Sequence, residues 1–214
     1  YLPLKGFGEE GKHSLLAYGV AREVIQTQVQ LAKGLGFKIV ALEPVPSSLW
    51  TAFRVNKFLQ PKKYTISLHL GDLLGWFSVF SDSGSLFSRL FSGANLDVLS
   101  KRIVREGEIA IDSAQQILRP LSPNAPAPSE KISTIIDHFL SELVVEMQRS
   151  IDAFCLMYNV DRVDDLYVSG TGATIPGLMD RIQHALGVKA ELFDPFAQLS
   201  FAEGIREEHV QNRT

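Results

Sequence analysis

The chain has 214 residues, 45% of them hydrophobic and 21% charged, with a formal net charge of −3. That is the balance of a globular protein able to bury a core in one large domain or two small ones, and it offers no basic surface to a nucleic acid. A single cysteine, Cys155, excludes an internal disulfide and a multi-cysteine metal site, the five histidines show no ligand spacing, and no run reaches the ~20 apolar residues of a membrane span.

The opening Tyr1-Leu-Pro-Leu-Lys5 is neither a signal peptide nor a natural start, so the chain reads as an excised fragment or processed product, with a cytosolic setting suited to its cysteine count. Residues 14–20 read as a strand and 21–34 as a helix whose Val24, Val29, Leu31 and Leu35 give an apolar face. Gly34 and Gly36 bracket its end like a C-cap. Residues 37–42 follow as a strand stopped by Pro44 and Pro46, and 47–59 as a helix ending before Pro61. This β-α-β-α unit defines a small subdomain over residues 1–60.

The second unit, residues 61–214, opens with strands at 64–70, 75–80 and 85–91. The last two are joined by a hairpin turn at Ser81-Asp-Ser-Gly84. Helical sequence runs from Asn95 to about Leu118, with a break near Gly107. A loop over 119–128 follows, where four prolines in nine residues forbid regular structure. A long helix spans 129–158 with Ser129 as N-cap, its buried face marked by Ile132, Ile135, Ile136, Phe139, Leu140, Leu143, Val144, Met147, Ile151, Phe154 and Cys155. Strand 166–169, helix 173–186 and strand 188–193 complete the order β-β-β-α-α-β-α-β of an RNase H-like lobe.

The chemistry-bearing stretch is Gly170-Thr171-Gly172, between a hydrophobic strand and a helix with Pro176 in its first turn. Two glycines there let backbone approach a nucleotide closely, and equally let two elements pack closely. His69 reads as a satisfied polar residue at a strand end or as a metal or acid–base group. Cys155 reads as a buried structural thiol, and Trp76 and Phe77 as core and interface side chains. No Ser/His/Asp or Cys/His arrangement suggests an acyl or glycosyl hydrolase.

Three segments together resemble the type IV pilus assembly protein PilM, an actin-like ATPase-fold relative of the cell-division protein FtsA. They are Glu142-Leu-Val-Val-Glu-Met-Gln-Arg-Ser-Ile-Asp-Ala-Phe154, Leu166-Tyr-Val-Ser-Gly-Thr-Gly-Ala-Thr-Ile-Pro-Gly-Leu178 and Leu186-Gly-Val-Lys-Ala-Glu-Leu-Phe-Asp-Pro-Phe196. Leu16 to Val24, continuing to Glu43-Pro44, is similar to the family's small extra subdomain. The resemblance implies an α/β fold: an actin-like ATPase (RNase H-like) lobe plus an FtsA/PilM-type β-α-β-α subdomain. It also implies nucleotide contacts at Gly71, Asp72, Glu146, Arg149, Gly170, Thr171 and Gly172, although Glu146 and Arg149, one turn apart, can simply pair with each other. The family's first Asp-x-Gly phosphate loop has no counterpart here. Its second is matched by His69-Leu-Gly-Asp-Leu-Leu-Gly75, where histidine replaces an acid and Leu73 and Leu74 replace hydroxyl residues.

Leucine side chains give phosphate no hydrogen bond, and Asp72 suits the site only with Mg²⁺ between it and the phosphates. The expectation is therefore a scaffold of a pilus or secretion inner-membrane platform, with no catalytic or metal residues, no cofactor, and at most weak binding of ATP and Mg²⁺. Its partner would be the cytoplasmic peptide of a bitopic inner-membrane protein, docking near residues 14–59, with an assembly ATPase or self-association as further partners. The alternatives are an active actin-like ATPase fragment and the cytoplasmic domain of a GspL-like type II secretion protein. The setting would be cytoplasmic, at the periphery of a bacterial inner membrane.

Overall fold

A computed structural model describes residues 2–3, 15–119 and 127–200. Its centre is a five-stranded sheet in the order β5-β4-β3-β6-β7. Strands β3 (Thr65–Leu70), β4 (Gly75–Ser81) and β5 (Gly84–Phe91) form an antiparallel meander. Strands β6 (Asp165–Ser169) and β7 (Ala190–Leu192) join β3 in parallel. The turn at Asp82 and Ser83 closes on the Ser81–Gly84 pair, where the sequence placed it. Ahead of the sheet, β1 (Leu2–Pro3) and β2 (Leu15–Leu16) make a short antiparallel pair.

The alternation of β3 gives the sheet two unlike faces. Ile66, Leu68 and Leu70 point into a core with Phe77 and Val79, covered by α3 (Leu96–Gly107), α5 (Glu130–Tyr158) and α6 (Leu178–Leu186). Helix α5 buries Ile132, Ile135, Ile136, Phe139, Leu140, Leu143, Met147 and Phe154 as its periodicity predicts, while Val144, Ile151 and Cys155 are only partly buried. The Ser129 side chain makes no capping bond. On the other face sit Thr65, Ser67 and Ser78, beside an aromatic cluster that holds α2 (Val45–Val55). There Phe53 stacks on Phe193 at 4.0 Å and meets Phe80 and Tyr167 edge-on. No helix among the described residues is long and apolar enough to cross a membrane.

The structure departs from the sequence reading in several places. Residues 37–42 form no strand, because among the described residues nothing pairs with them, and a strand without a ladder partner leaves its backbone groups to water. Of residues 14–20, Leu15 and Leu16 alone are strand, and Ser14 lies outside the described residues. Helix α1 (Arg22–Gly34) forms as expected but buries no residue. Pro46 lies in the first turn of α2, where a missing N–H costs nothing, so the helix expected over 47–59 begins at Val45 and ends at Val55. The break the sequence placed near Gly107 is present: the helical run after β5 splits into α3 and α4 (Ile111–Leu118) at Glu108, whose φ is 58°. Residues 120–126 of the proline-rich loop lie outside the described residues. The helix expected from Ala173 begins at Leu178, after a 3₁₀ turn over Thr171–Thr174.

Candidate functional site

Strands β3 and β6 are parallel neighbours whose connections leave in opposite directions across the sheet. Their C-terminal ends therefore form the crevice where open α/β sheets take ligands. His69 and Ser169 are register partners there, with Nδ1 and Oγ 3.1 Å apart. Burial lowers the His69 pKa, which favours the neutral ring, and its ring nitrogen has a partner. This is a satisfied polar residue at a strand end.

Beyond His69 the chain turns tightly, the Gly71 N–H donating to the Leu74 carbonyl at 2.9 Å. The amides of Leu96 and Asp97 donate to the carbonyls of Gly71 and Asp72, fixing this turn on the start of α3. At its tip Leu73 is 73% exposed and Leu74 47%.

The opposite wall is the glycine turn. Gly170 has φ +86°, and a Cβ there would lie 2.5 Å from the Leu70 carbonyl oxygen. A Cβ on Gly172 would lie 2.6 Å from Leu70 Cβ. Close packing on the end of β3 thus accounts for both glycines. The following amides bond locally, Ala173 N–H to the Gly170 carbonyl and Ile175 N–H to the Gly172 carbonyl.

Across the crevice Thr171 Oγ1 donates to Asp72 Oδ1 at 2.8 Å, and the Arg119 guanidinium pairs with the same oxygen. Thr174 Oγ1 donates to the Leu118 carbonyl at 2.9 Å, drawing the end of α4 to the turn. A cavity of about 230 Å³ adjoins this bridge, lined by Asp72, Leu73, Leu96, Ile111, Leu118 and Arg119. Among the described residues no group of three His, Cys, Asp or Glu is placed to hold a metal ion.

Of the candidate nucleotide contacts, Gly71, Asp72, Gly170, Thr171 and Gly172 meet in this crevice, whereas Glu146 and Arg149 lie elsewhere. Arg149 Nη1 bonds Glu146 Oε1 at 2.7 Å, and the other Glu146 oxygen takes Arg89 of β5 at 3.1 Å. Between β5 and β6 lie β4 and β3, a separation of about 14 Å at the usual strand spacing. Arg119 escaped the sequence reading because its link to Asp72 spans 47 positions and carries no local spacing signal. Phe77 is core and Trp76 partly exposed. Cys155 is partly buried, and burial pushes its thiol pKa up, away from the reactive thiolate.

Known proteins share this fold. The family described as type IV pilus assembly protein PilM matches residues 10–214. No curated protein matches. Among solved structures, a PilM-PilN type IV pilus biogenesis complex is similar with a TM-score of 0.74 at 20% identity, over 89% of this chain and 53% of that one. The ethanolamine utilization protein EutJ from Carboxydothermus hydrogenoformans follows at 0.61 and 16%, over 81% of this chain and 57% of that one. MreB5 of Spiroplasma citri bound to AMPPNP gives 0.57 and 12%, over 81% and 60%. The chain thus spans a little over half the length of each, and at these identities the likeness speaks for the actin-like fold alone.

Proposed function

The chain belongs to the type IV pilus assembly protein PilM family, and from that premise we propose that it is an assembly scaffold that binds a partner's cytoplasmic tail and does not turn over ATP. The observation that carries this reading is the content of the crevice. Asp72 is already bridged to Thr171 and Arg119. The side chains at the loop tip are leucines, and the glycine turn is filled by Leu70. Phosphoryl transfer needs donors around the phosphates, a held Mg²⁺ and an oriented water. The Leu73 and Leu74 side chains supply no donor, and Asp72 is held by Thr171 and Arg119 instead of standing free for a cation, so these side chains do not favour a bound Mg-nucleotide.

Binding, in contrast, has surface to work with. The apolar side chains of α1 and of residues 37–42 are exposed, among them Val24, Leu31, Phe37 and Val40. One similar structure is a complex of PilM with PilN, and a PilN-type membrane protein is the partner we assign to this surface, at the cytoplasmic side of the inner membrane.

Two measurements test the reading. Calorimetric titration with Mg-ATP should give no saturable heat, and a dissociation constant of about 1 µM, roughly −8 kcal/mol, would sink it. Pull-down of a PilN-type protein should succeed with the wild-type chain and fail with a Phe37→Asp, Val40→Asp double variant. Equal capture by both would remove this docking surface.

A further inference from the structure

The sheet ends at β5, which among the described residues pairs with β4 alone. Its first half runs beside Tyr18, whose hydroxyl lies 3.4 Å from Ser85 Oγ and 2.9 Å from Ser88 Oγ. Beyond Ser88 the edge continues through Arg89, Leu90 and Phe91, with Leu90 45% exposed. Alternation sends Arg89 and Phe91 to the α5 side of the sheet and Ser88 and Leu90 to the other.

On the α5 side, against this half of β5, lies a cavity of about 350 Å³ between the strand end, α3 and α5. Phe91, Val98, Phe139 and Leu143 give it an apolar floor. At its mouth Arg89 pairs with Glu146 at 3.1 Å and Arg102 with Glu142 at 2.9 Å.

We propose that the outer half of β5 and this cavity form a docking site for an extended protein segment of a partner, which seats an apolar side chain in the cavity and an acidic one at its mouth. A segment lying alongside β5 would sit about 4.8 Å from it, and every second side chain would project toward the cavity. The volume falls within the range of ligand pockets, about 300–1,000 Å³. Charge selects the acidic neighbour. Arg89, Arg102, Arg105 and Arg149 stand against Glu106, Glu142 and Glu146, so one guanidinium charge is left over, and His138 beside Glu142 adds to it when protonated. These pairs are partly exposed and worth little individually, so an incoming carboxylate can rearrange them at small cost. The recognised pattern is an apolar residue, then a residue lying over Leu90, then Asp or Glu. This edge is separate from α1 and from the crevice, so its failure would leave the scaffold reading standing.

Fluorescence anisotropy with a labelled Thr-Val-Leu-Val-Glu-Thr peptide and the 214-residue chain tests the site. Replacing the peptide's Leu by Ser, or introducing Arg102→Glu in the protein, should each weaken binding at least about tenfold. Arg102→Glu should also reverse the order of preference between the Glu peptide and its Lys counterpart. Gly93→Phe, placed where a Cβ meets nothing within 4 Å, should block the mouth without disturbing the fold, and thermal melts of both variants check that. No binding by the wild type up to about 1 mM, or binding indifferent to both protein variants, overturns the proposal. Self-association of the chain that Gly93→Phe abolishes would assign the edge to a second copy and overturn it as well.

Discussion

Placing a methyl group on Gly172 tests whether the glycine turn serves packing or a ligand. A Cβ there would lie 2.6 Å from Leu70 Cβ and 3.0 Å from the Leu70 carbonyl oxygen, about 1 Å inside the contact distance of two carbon atoms. Leu70 is fully buried at the end of the central strand, so neither partner can swing into solvent. Overpacking of this kind costs about 1–3 kcal/mol. At about 2 kcal/mol, Gly172→Ala should lower the melting temperature of a chain this size by about 4–8 °C. The control is Gly93→Ala, where nothing lies within 4 Å and reduced freedom of the unfolded chain leaves stability unchanged or raised by up to about 1 kcal/mol. Thermal melts without nucleotide read both variants against the wild type. A Gly172→Ala protein as stable as the Gly93→Ala control would refute the packing account and return the turn to a ligand.

Further outcomes follow from the same contacts. Burial holds the His69 pKa below 6.5, so the unfolded chain takes up a proton first as pH falls. Stability should therefore decline from about pH 6.5 downward and level off below the folded-state pKa, and a His69→Gln variant should show a shallower decline in urea melts between about pH 7.5 and 5.5. Asp72→Ala removes a bridge whose Asp and Arg side chains are 54% and 43% exposed, so it should cost less than about 1 kcal/mol; a loss above about 2 would make the bridge structural. Val40→Asp, at a side chain 91% exposed, should change stability by no more than about 0.5 kcal/mol, so any loss of partner capture reads docking and not folding.

How much of this was legible in the sequence depended on whether the signal was local. Strands β3 to β5 and helix α5 follow from alternation and from the 3–4 spacing that runs from Ile132 to Phe154, because those patterns are made by residues a few positions apart. Helix α1 was legible for the same reason, yet its burial was not, since an amphipathic pattern states that a face wants cover and not where the cover comes from. Residues 37–42 show the limit most plainly. Phe-Lys-Ile-Val-Ala-Leu is a good strand sequence, but a strand is a property of two segments, and among the described residues the second is missing.

The crevice separates motif from site in the same way. Gly170-Thr171-Gly172 was found by composition, and both readings of it, ligand approach and close packing, predict the same glycines. What distinguishes them is Leu70, a hundred positions earlier, whose side chain and carbonyl occupy the space the glycines leave open. Asp72 likewise looked like a substitute phosphate-loop acid, but its oxygen is already shared by Thr171 and Arg119, residues that no spacing rule connects to it. Glu146 and Arg149 lie apart from the glycine turn because Glu146 on α5 pairs with Arg89 of β5, three strand spacings from β6, and Arg149 pairs with Glu146. In this chain the close approach of Leu70 is by itself enough to require glycine at 170 and 172, whether or not a ligand enters the crevice.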